Sequence, residues 1–343
     1  MASKRIGYFT PYLPVELLWA CGFSPVRLRP GRGHAAADGR LPRNFSVEAR
    51  CLLAAALEQR LDAGAVVFLD EDDTSRRACD VWRAFAGMPV FGPVAVPRLA
   101  GPASAERYAG ALAALAGELA ALSGQPLTDE SLQQAIDLYN RQRALWLALR
   151  QRWLEGGLAT GEWHALRWLA LTAEVESANE ALAARLQTGP GPSAAAPAGP
   201  RLLVLGAMEV PAPLLALLEA GGARVVAEDS EAEERTLTEQ VPSSGRGPLL
   251  DLAGAYLAKM PGPRAAELPR RLAALDRLVD ERHVQGAIAL YPKFADSYLA
   301  EWVALGEMFR ARGLPALLLE DDGEPGPSGQ QRTRVEAFLE ILA

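Results

Sequence analysis

Short runs of consecutive apolar residues alternate with helical stretches along most of this chain. Residues 6–9 form one such run, followed by a predicted helix over 15–21 and a strand over 25–28. Residues 201–205 begin the same order again, with a helix and a strand behind them. Buried parallel strands read as continuously apolar and need a helical crossover between them. The pattern therefore predicts one βαβ unit that is used twice.

A second pair of segments supports this repeat. Residues 64–93 and residues 286–320 each read as strand, loop, helix, Gly, Pro and strand. We therefore predict an α/β fold of two doubly wound parallel-sheet lobes, flavodoxin-like or Rossmann-like, with similar topology and a helical segment between them. The predicted divisions are an amino-terminal lobe over residues 1–125, a helical connecting segment over 126–186, a linker over 187–200 and a carboxyl-terminal lobe over 201–343.

The connecting segment has apolar residues at helical spacing and four tryptophans. These are Trp146, Trp153, Trp163 and Trp168. We interpret them as core packing rather than as a cofactor box. The linker reads QTGPGPSAAAPAGP and has no means of forming a core. Two similar lobes imply a cleft between them, and the carboxyl ends of strands in both lobes predict a site there.

The composition excludes several classes of function. The 343 residues carry a net charge of −7 and show no basic stripe, which argues against nucleic acid as a partner. No apolar run approaches the roughly 20 residues that a membrane-spanning helix needs. The amino terminus also lacks the pattern of a secretory signal. We therefore expect a cytoplasmic protein that contacts neither nucleic acid nor a membrane.

Common catalytic and cofactor motifs are missing from the sequence. It has no Gly-x-Gly-x-x-Gly after a strand, no P-loop and no Gly-x-Ser-x-Gly. Neither the cysteines nor the histidines follow a ligand spacing, so no zinc site or disulfide framework is predicted. They are Cys21, Cys51, Cys79, His34, His164 and His283. We expect the cysteines to be small buried packing residues. The Gly-rich residues 31–40 are predicted to form a surface loop.

Four consecutive acids, DEDD at residues 70–73, follow the predicted strand over 66–69. They lie at a carboxyl strand end, and we predict that a helix resumes at Ser75. Carboxylates suit Mg²⁺, although four consecutive acids cannot all face one ion. The metal candidates are Asp70, Asp72 and Asp73. The competing interpretation is a solvated loop, which is also the interpretation we favour for the acids at 320–322.

Six local patterns occur in the order expected for one protein family. They are YLPVELLWACGFSPVRL, LPRNF, AVVFLDEDDTSRRACDVWR, ARVVAED, LYPKFADSYLAEW and the closing GQQRTRVEAFLEIL. On these patterns the chain resembles the 2-hydroxyacyl-CoA dehydratase and benzoyl-CoA reductase family. Within it, the chain is most similar to the D-component-like subunit of 2-hydroxyglutaryl-CoA dehydratase. The resemblance extends along nearly the full length of the chain.

The resemblance implies reductive radical chemistry on acyl-CoA thioesters. The activities of the family are (R)-2-hydroxyacyl-CoA dehydratase, which is a lyase, and aryl-CoA reductase. In the family, three cysteines from the cleft hold an iron–sulfur cluster, and an ATP-hydrolysing activator delivers a low-potential electron to it. Thiolates are needed because soft sulfur holds the iron and sets the potential.

This sequence departs from the family at the cluster-ligand positions. Ser46, Asp72 and Ala295 stand where the three cysteines are expected, and the family's Pro-Cys-Pro segment reads PGP at residues 261–263. The resemblance leaves a set of candidate residues for the substrate or the cleft. They are Glu16, Arg27, Asn44, Asp73, Lys293 and Asp296. Of these, Arg27 and Lys293 are cations, which suit charge-assisted hydrogen bonds to a CoA phosphate.

The resemblance and the departures together favour a degenerate, cluster-free subunit. It would bind no cofactor and would not be catalytic on its own. A homologous partner would carry a [4Fe–4S] cluster, an ATP-dependent activator would serve the complex, and this chain would shape the acyl-CoA pocket. The alternative is a stand-alone acyl-CoA or small-anion binding protein or enzyme that uses Glu16, Asp72 or Lys293. A third hypothesis is a non-standard metal centre of residues 70–73 with Ser46.

Overall fold

Eight strands and twelve helices alternate along residues 4–189, 199–236, 240–324 and 326–342, the parts of the chain that the computed structural model describes. The strands are β1 Arg5–Tyr8, β2 Ser24–Arg27, β3 Ala65–Asp70, β4 Val90–Ala95, β5 Arg201–Leu205, β6 Arg224–Asp229, β7 Gly286–Pro292 and β8 Ala316–Asp321. The helices are α1 Val15–Ala20, α2 Val47–Leu57, α3 Asp73–Phe85, α4 Pro102–Ser123, α5 Asp129–Leu154, α6 Thr160–Thr172, α7 Val175–Gln187, α8 Ala212–Ala220, α9 Pro248–Ala258, α10 Leu268–Glu281, α11 Asp296–Ala311 and α12 Gly329–Leu342. Among the helices in these ranges, none is both long and apolar enough to cross a membrane.

The strands form two four-stranded parallel sheets with the same strand order. The amino-terminal sheet runs β2-β1-β3-β4, and the carboxyl-terminal sheet runs β6-β5-β7-β8. This arrangement confirms the predicted α/β fold with two similar, doubly wound lobes. In each sheet the winding reverses between its first and third strands along the chain, β1 and β3 or β5 and β7. A crevice opens at the carboxyl ends of the strands at such a reversal, and ligands bind there in open α/β sheets.

Both faces of each sheet are buried. Successive residues of a strand point to opposite faces, so one strand supplies side chains to two cores. In β3, Val66 and Phe68 enter one hydrophobic core, while Val67 and Leu69 enter another. Strand β5 divides its side chains between two cores in the same way. Burial on both faces explains why the sequence shows unbroken apolar runs instead of alternating polar and apolar residues.

Helices α5, α6 and α7 bridge the two lobes. The first half of α5 packs Leu132 and Ile136 into a core of the amino-terminal lobe. Its second half packs Trp146 and Trp153 against the carboxyl-terminal sheet, together with Trp163 of α6. The rings of Trp153 and Trp163 stack with 5.9 Å between their centroids. All four tryptophans of the segment are buried, which confirms the prediction that they serve packing.

The structure describes only the two ends of the predicted linker, which follows α7. Helix α7 ends at Gln187, where the predicted linker begins. Residues 190–198 of that linker lie outside the described residues. Strand β5 then starts at Arg201, as the sequence predicted.

Helix α9 follows the carboxyl-terminal strand β6 but packs against the amino-terminal lobe. Its Leu252 and Tyr256 join the same core as Tyr108 of α4. Directly after α9, the carbonyl of Met260 accepts a hydrogen bond of 2.8 Å from the hydroxyl of Tyr12. This crossing brings the segment after α9 beside the carboxyl ends of β1 and β3.

Helix α3 begins at Asp73, not at Ser75 as the sequence predicted. Asp72 is the N-cap: its side chain accepts a hydrogen bond of 2.7 Å from the Ser75 backbone N–H. The Ser75 hydroxyl in turn accepts one of 3.0 Å from the Asp72 N–H. This reciprocal capping box satisfies two donors at the helix start. The interpretation of the whole acidic run as a solvated loop is therefore wrong, because its last residue is already helical.

Candidate functional site

The carboxyl ends of the two sheets meet at the interface between the lobes. The side chain of Glu48, in α2, accepts a hydrogen bond of 3.0 Å from the backbone N–H of Met208, which follows β5. The backbone N–H of Val47 donates to the carbonyl of Lys293, which follows β7, over 3.3 Å. The reversal points of both sheets thus open onto one shared interface, and helix α2 contacts both lobes there.

The three positions expected to carry cysteine come together at this interface. Each of them is the N-cap of a helix: Ser46 precedes α2, Asp72 precedes α3 and Ala295 precedes α11. Ser46 and Asp72 line one cavity of about 70 Å³, which we call the cleft cavity. Ala295 lies two residues after Lys293, whose carbonyl binds the first turn of α2. The N-termini of α2 and α3, each with a partial positive charge, therefore meet at the cleft cavity.

Arg264 occupies the wall of the cleft cavity and pairs with carboxylates of both lobes. Its Nε lies 3.0 Å from an oxygen of Asp72, and its Nη1 lies 2.8 Å from Oε1 of Glu231. The same Nη1 is 3.9 Å from an oxygen of Glu71. One guanidinium thus faces three acids at the place where the family resemblance implies a metal cluster.

Glu231 is the centre of a buried ionic network that connects the lobes. Besides Arg264, its carboxylate accepts hydrogen bonds from Arg27 at 2.9 Å and from the hydroxyl of Tyr298 at 3.0 Å. Arg235 donates to that same hydroxyl at 3.0 Å. All these side chains except that of Arg264 are almost completely buried, so none of the charges can rely on bulk water. The buried side chains of the network stay charged because its arginines and carboxylates are paired with one another.

Burial shifts the pKa values of the acids at the interface. Burial raises the pKa of Glu71 to about 7, with Arg264 lowering it and Glu231 raising it. Burial and the neighbouring Glu231 raise the pKa of Glu48 to about 8, although its hydrogen bond from Met208 opposes this. Both carboxyl groups therefore hold their protons to higher pH than an ordinary glutamate does. Burial also acts on Asp72, but Arg264 and the Ser75 hydrogen bonds outweigh it and lower its pKa.

The structure separates the sequence-predicted candidates into buried and exposed groups. Arg27 is buried in the ionic network through its pair with Glu231. Glu16 is also buried, but it pairs with Arg143 and accepts a hydrogen bond of 2.7 Å from Tyr256, away from the cleft cavity. Both residues therefore already have partners inside the protein.

The other candidates lie nearer to solvent. Asn44 is exposed in the loop before α2, and Asp296 is exposed at the first position of α11. Asp73 is exposed and lies 4.0 Å from Arg77 on α3. The side chain of Lys293 is 43% exposed, and its Nζ is 3.9 Å from the partly exposed Asp322. Lys293 is thus the accessible cation beside the converging N-caps.

Residues 31–40 and 320–322 also contribute to the contact between the lobes. Arg32 donates to both carboxylate oxygens of Asp321, at 2.8 and 3.0 Å. The N–H of Gly33 donates to the carbonyl of Gly323 over 3.2 Å. Residues 31–40 are largely exposed, as the surface-loop prediction expects, whereas the prediction of a solvated turn is wrong for Asp321, because this residue pairs with Arg32 of the other lobe.

The residues at the cleft cavity do not fit an iron–sulfur cluster. Ser46 and Asp72 offer hard oxygen atoms, Ala295 offers no donor atom, and iron in such clusters needs soft thiolates. The cysteines are free and buried, as predicted, and none lines the cleft cavity. Burial raises the pKa of Cys51 to about 11, which keeps it a thiol.

The four acids at residues 70–73 diverge from one another instead of facing one ion. Asp70 lies 3.0 Å from Arg76, Glu71 accepts a hydrogen bond from Thr10, and Asp72 binds the Ser75 N–H. Across the described ranges of the chain, no group of three or more His, Cys, Asp or Glu side chains is placed to hold a metal ion.

Sequence reasoning missed the residues that fill the site. Arg264 directly follows the PGP segment at 261–263, which stands where the family has Pro-Cys-Pro. Its place beside this segment was the one feature of the sequence that pointed to Arg264. Arg264 and Asp72 are 192 residues apart, and no local spacing relates them. Glu231 and Tyr298 lie close to segments that matched the family, but nothing in those segments indicates that their side chains meet.

Comparison with known proteins shows the family of this chain. The chain belongs to the family of 2-hydroxyglutaryl-CoA dehydratase, D-component, which it matches over residues 10–342. It is also similar to the (R)-phenyllactyl-CoA dehydratase beta subunit of Clostridium sporogenes. The two chains are 22% identical over 352 residues, an alignment that covers 99% of this chain and 92% of that relative. The resemblance deduced from the six sequence patterns is confirmed.

Proposed function

We propose that this chain is a cluster-free subunit of a dehydratase-type complex that acts on acyl-CoA thioesters. It pairs with a homologous subunit that carries the [4Fe–4S] cluster. The observation that carries the proposal is Arg264, which binds Asp72 and Glu231 where the cluster ligands are expected. The guanidinium of Arg264 and the carboxylates paired with it occupy the place of the expected cluster ligands with fixed charges. This chain then contributes architecture, and the electron carrier resides in the partner.

The retained architecture supports a role in a complex. Membership of the family covers nearly the whole chain, and the relative that aligns with 99% of this chain is named a beta subunit. The interface between the lobes is tied by paired charges, which gives the subunit a fixed shape for a partner to pack against. In this proposal an ATP-dependent activator supplies electrons to the cluster of the partner, and this chain forms one wall of the acyl-CoA pocket.

Lys293 is the residue we propose for contact with the CoA phosphates. Its side chain is half exposed beside the converging N-caps, and its nearest carboxylate oxygen, on Asp322, is as far as 3.9 Å. Arg27, the other cation suggested by the sequence, is buried and bound to Glu231. Only Lys293 can therefore reach a phosphate without breaking a buried pair.

The proposal is tested by purifying this chain together with a homologous subunit that retains cysteines at the three ligand positions. The two proteins are co-expressed, purified without oxygen and separated, and iron and acid-labile sulfide are measured on each. We expect a stable heteromeric complex in which iron and sulfide stay with the partner. Cluster iron bound to this chain, or failure of the two chains to associate, would contradict the proposal.

The role of Lys293 is tested in the same complex by the Lys293→Glu variant. Charge-assisted hydrogen bonds are worth about 1.5–3 kcal/mol, so acyl-CoA affinity should fall about tenfold or more. The matched control is Arg141→Glu, which makes the same charge change on the exposed side of α5. Equal affinity of the Lys293 variant and the control, measured by calorimetry, would remove Lys293 from the pocket.

A further inference from the structure

A second cavity of about 60 Å³ lies where both lobes and the helical segment meet, separate from the cleft cavity. It is bordered by the loop after β1, by α5 and α6, and by the residue that follows α9. The side chains used in the argument below are Leu13, Gln142, Trp146, Leu171, Tyr256 and Lys259. We call it the lysine cavity.

Besides Arg143, which is engaged by Glu16 and Asn140, three side chains with nitrogen donors line the lysine cavity. Lys259 is 6% exposed; its Nζ donates to the carbonyl of Pro11 at 2.7 Å and lies 3.8 Å from the centre of the Tyr256 ring. An ammonium carries three protons, and these contacts use only part of its capacity. Nε2 of Gln142 and Nε1 of Trp146 have no hydrogen-bond partner, although these residues are 8% and 5% exposed. Buried donors without an acceptor are rare and call for an explanation.

The carboxylate of Glu16, the one acid that acts on the charge of Lys259, is not available to it. It is already engaged by Arg143 and by the hydroxyl of Tyr256. Lys259 therefore has no carboxylate of its own among its printed partners; it binds a carbonyl and an aromatic ring. An anion would supply the acceptor that all three nitrogen donors need.

The size and the remaining walls of the cavity restrict the kind of anion. A water molecule needs about 10–15 Å³ measured in the same way, so the lysine cavity has room for roughly four to six heavy atoms. Apolar side chains, among them Leu13 and Leu171, form the rest of the lining. A carboxylate with a short aliphatic chain matches both features, since its oxygens meet the donors and its carbons meet the apolar wall.

We propose that the lysine cavity binds a short-chain monocarboxylate of about two to four carbons, held by Lys259, Gln142 and Trp146. This site does not depend on the proposed function of the cleft cavity. It lies under helices α5 and α6, and none of its three donors lines the cleft cavity.

The protonation of Lys259 gives the site a pH dependence. Burial, and after it the positive charge of Arg143, lowers the pKa of Lys259 well below its usual value. A bound carboxylate favours the ammonium form, so binding takes up a proton when the amine starts out neutral. The titratable and charged groups around Lys259 are Tyr8, Glu16, Arg27, Tyr139, Arg143 and Tyr256. Affinity should therefore fall as the pH is raised.

Isothermal titration of the full chain with acetate, propionate and butyrate tests the proposal. Propionamide is the neutral control of the same shape, and hexanoate tests the size limit. We expect a Kd of about 1 mM or tighter for at least one short carboxylate, and at least tenfold weaker binding of propionamide and hexanoate. No heat from any short carboxylate, or equal binding of propionamide, would overturn the proposal.

Two substitutions on α5 locate the binding site without altering Lys259. Gln142→Glu places a negative charge among the donors and should weaken propionate binding at least tenfold. Trp146→Phe removes one N–H and keeps an aromatic ring, and should weaken it about threefold to tenfold. The control is Gln134→Glu, the same change at an exposed position of the same helix, which should leave affinity unchanged. Unchanged affinity in both α5 variants would place any observed binding elsewhere and overturn the assignment.

Discussion

Replacing Arg264 by Met isolates the electrostatic role of the guanidinium in the cleft cavity. The substitution keeps an unbranched apolar stem and removes the charge that pairs with Asp72 and Glu231. Glu231 keeps its contacts with Arg27 and Tyr298, but Asp72 and Glu71 lose the cation that faces them. The variant thereby removes the cation beside these carboxylates, which keep only their hydrogen bonds from the Ser75 N–H and the Thr10 hydroxyl.

The expected loss of stability follows from the burial of these partners. Removing one partner of a buried ion pair costs about 3–5 kcal/mol. The Arg264 side chain is 19% exposed, and Glu231 is 2% exposed. Water can therefore replace part of the lost interaction, and we expect a loss near the lower end, about 3 kcal/mol at pH 7.

The loss should grow as the pH is raised above 7. The pKa of Glu71 is already raised to about 7 in the folded protein, so its stabilising contribution is present at low pH and disappears as the pH rises through that value. Without Arg264 this pKa rises further, because Arg264 lowers it. In the variant, the contribution of Glu71 then continues to fall by up to about 1.4 kcal/mol per pH unit above pH 7, whereas in the wild type this contribution is already lost.

Urea unfolding followed by circular dichroism at pH 6 and pH 8 measures both effects. Arg277→Met is the control; this arginine is 72% exposed and lies 3.9 Å from Glu281, so its loss should cost about 0–1 kcal/mol. The double variant Arg264→Met/Asp72→Asn removes one uncompensated carboxylate while keeping a good N-cap residue. It should recover part of the stability that Arg264→Met loses.

The reasoning would be refuted by two outcomes. If Arg264→Met costs no more than Arg277→Met at pH 8, the guanidinium does not compensate the buried acids. If Asp72→Asn adds its own cost in the double variant, the two side chains are not coupled. Either result would mean that the ionic network does not hold the lobes together at this interface.

Three further predictions address other parts of the structure. In the wild type, the pKa of Glu48 is raised to about 8, so the free energy of unfolding falls as the pH rises from roughly 5 to 8. Glu48→Gln should remove about 1.4 kcal/mol per pH unit of that fall. Trp163→Ala should cost about 3–5 kcal/mol in urea unfolding, because this ring contacts two other buried indoles. The triple variant with cysteines at Ser46, Asp72 and Ala295 should gain iron on anaerobic reconstitution, measured by iron content and visible absorbance, because these positions converge as three helix N-caps.

Each of these predictions has a contrary outcome. A Glu48→Gln variant with the wild-type pH profile would mean that this carboxyl ionises normally. A cost below about 1 kcal/mol for Trp163→Ala would mean that the helical segment does not share a core with the carboxyl-terminal sheet. No gain of iron in the triple-cysteine variant, relative to wild type treated in the same way, would mean that the three positions are not the former ligand positions.

The fold could be predicted from the sequence because its main signals are local. Buried parallel strands leave unbroken apolar runs, and the same order of elements occurs twice, so both sheets follow from patterns within a few tens of residues. The start of α5 is also encoded by neighbouring residues, because the side chain of Thr128 accepts a hydrogen bond from the backbone N–H of Ser131 and caps the helix. The start of α3 was placed too late because a run of acids suggested a loop, although Asp72 is a strong N-cap residue.

The candidate site could be predicted only in part. The family patterns indicated three positions that lack the expected cysteine, and two of them, Ser46 and Asp72, line the cleft cavity. The charge that fills the space did not follow from the sequence, because Arg264 meets Asp72 across 192 residues and between two lobes. The acids of residues 70–73 do not share one partner: Glu71 binds Thr10, which follows β1, whereas Asp70, Asp72 and Asp73 pair with residues of α3.

Iron and acid-labile sulfide, measured on this chain purified alone and without oxygen, test the central claim most directly. Because Arg264 and paired carboxylates hold the place of the cluster ligands, we predict a colourless protein with no stoichiometric iron or sulfide. The same chain purified with a cysteine-bearing homologous subunit should then yield a brown complex whose iron leaves with that subunit. A brown, oxygen-sensitive preparation of this chain alone, with stoichiometric iron and sulfide, would contradict the account.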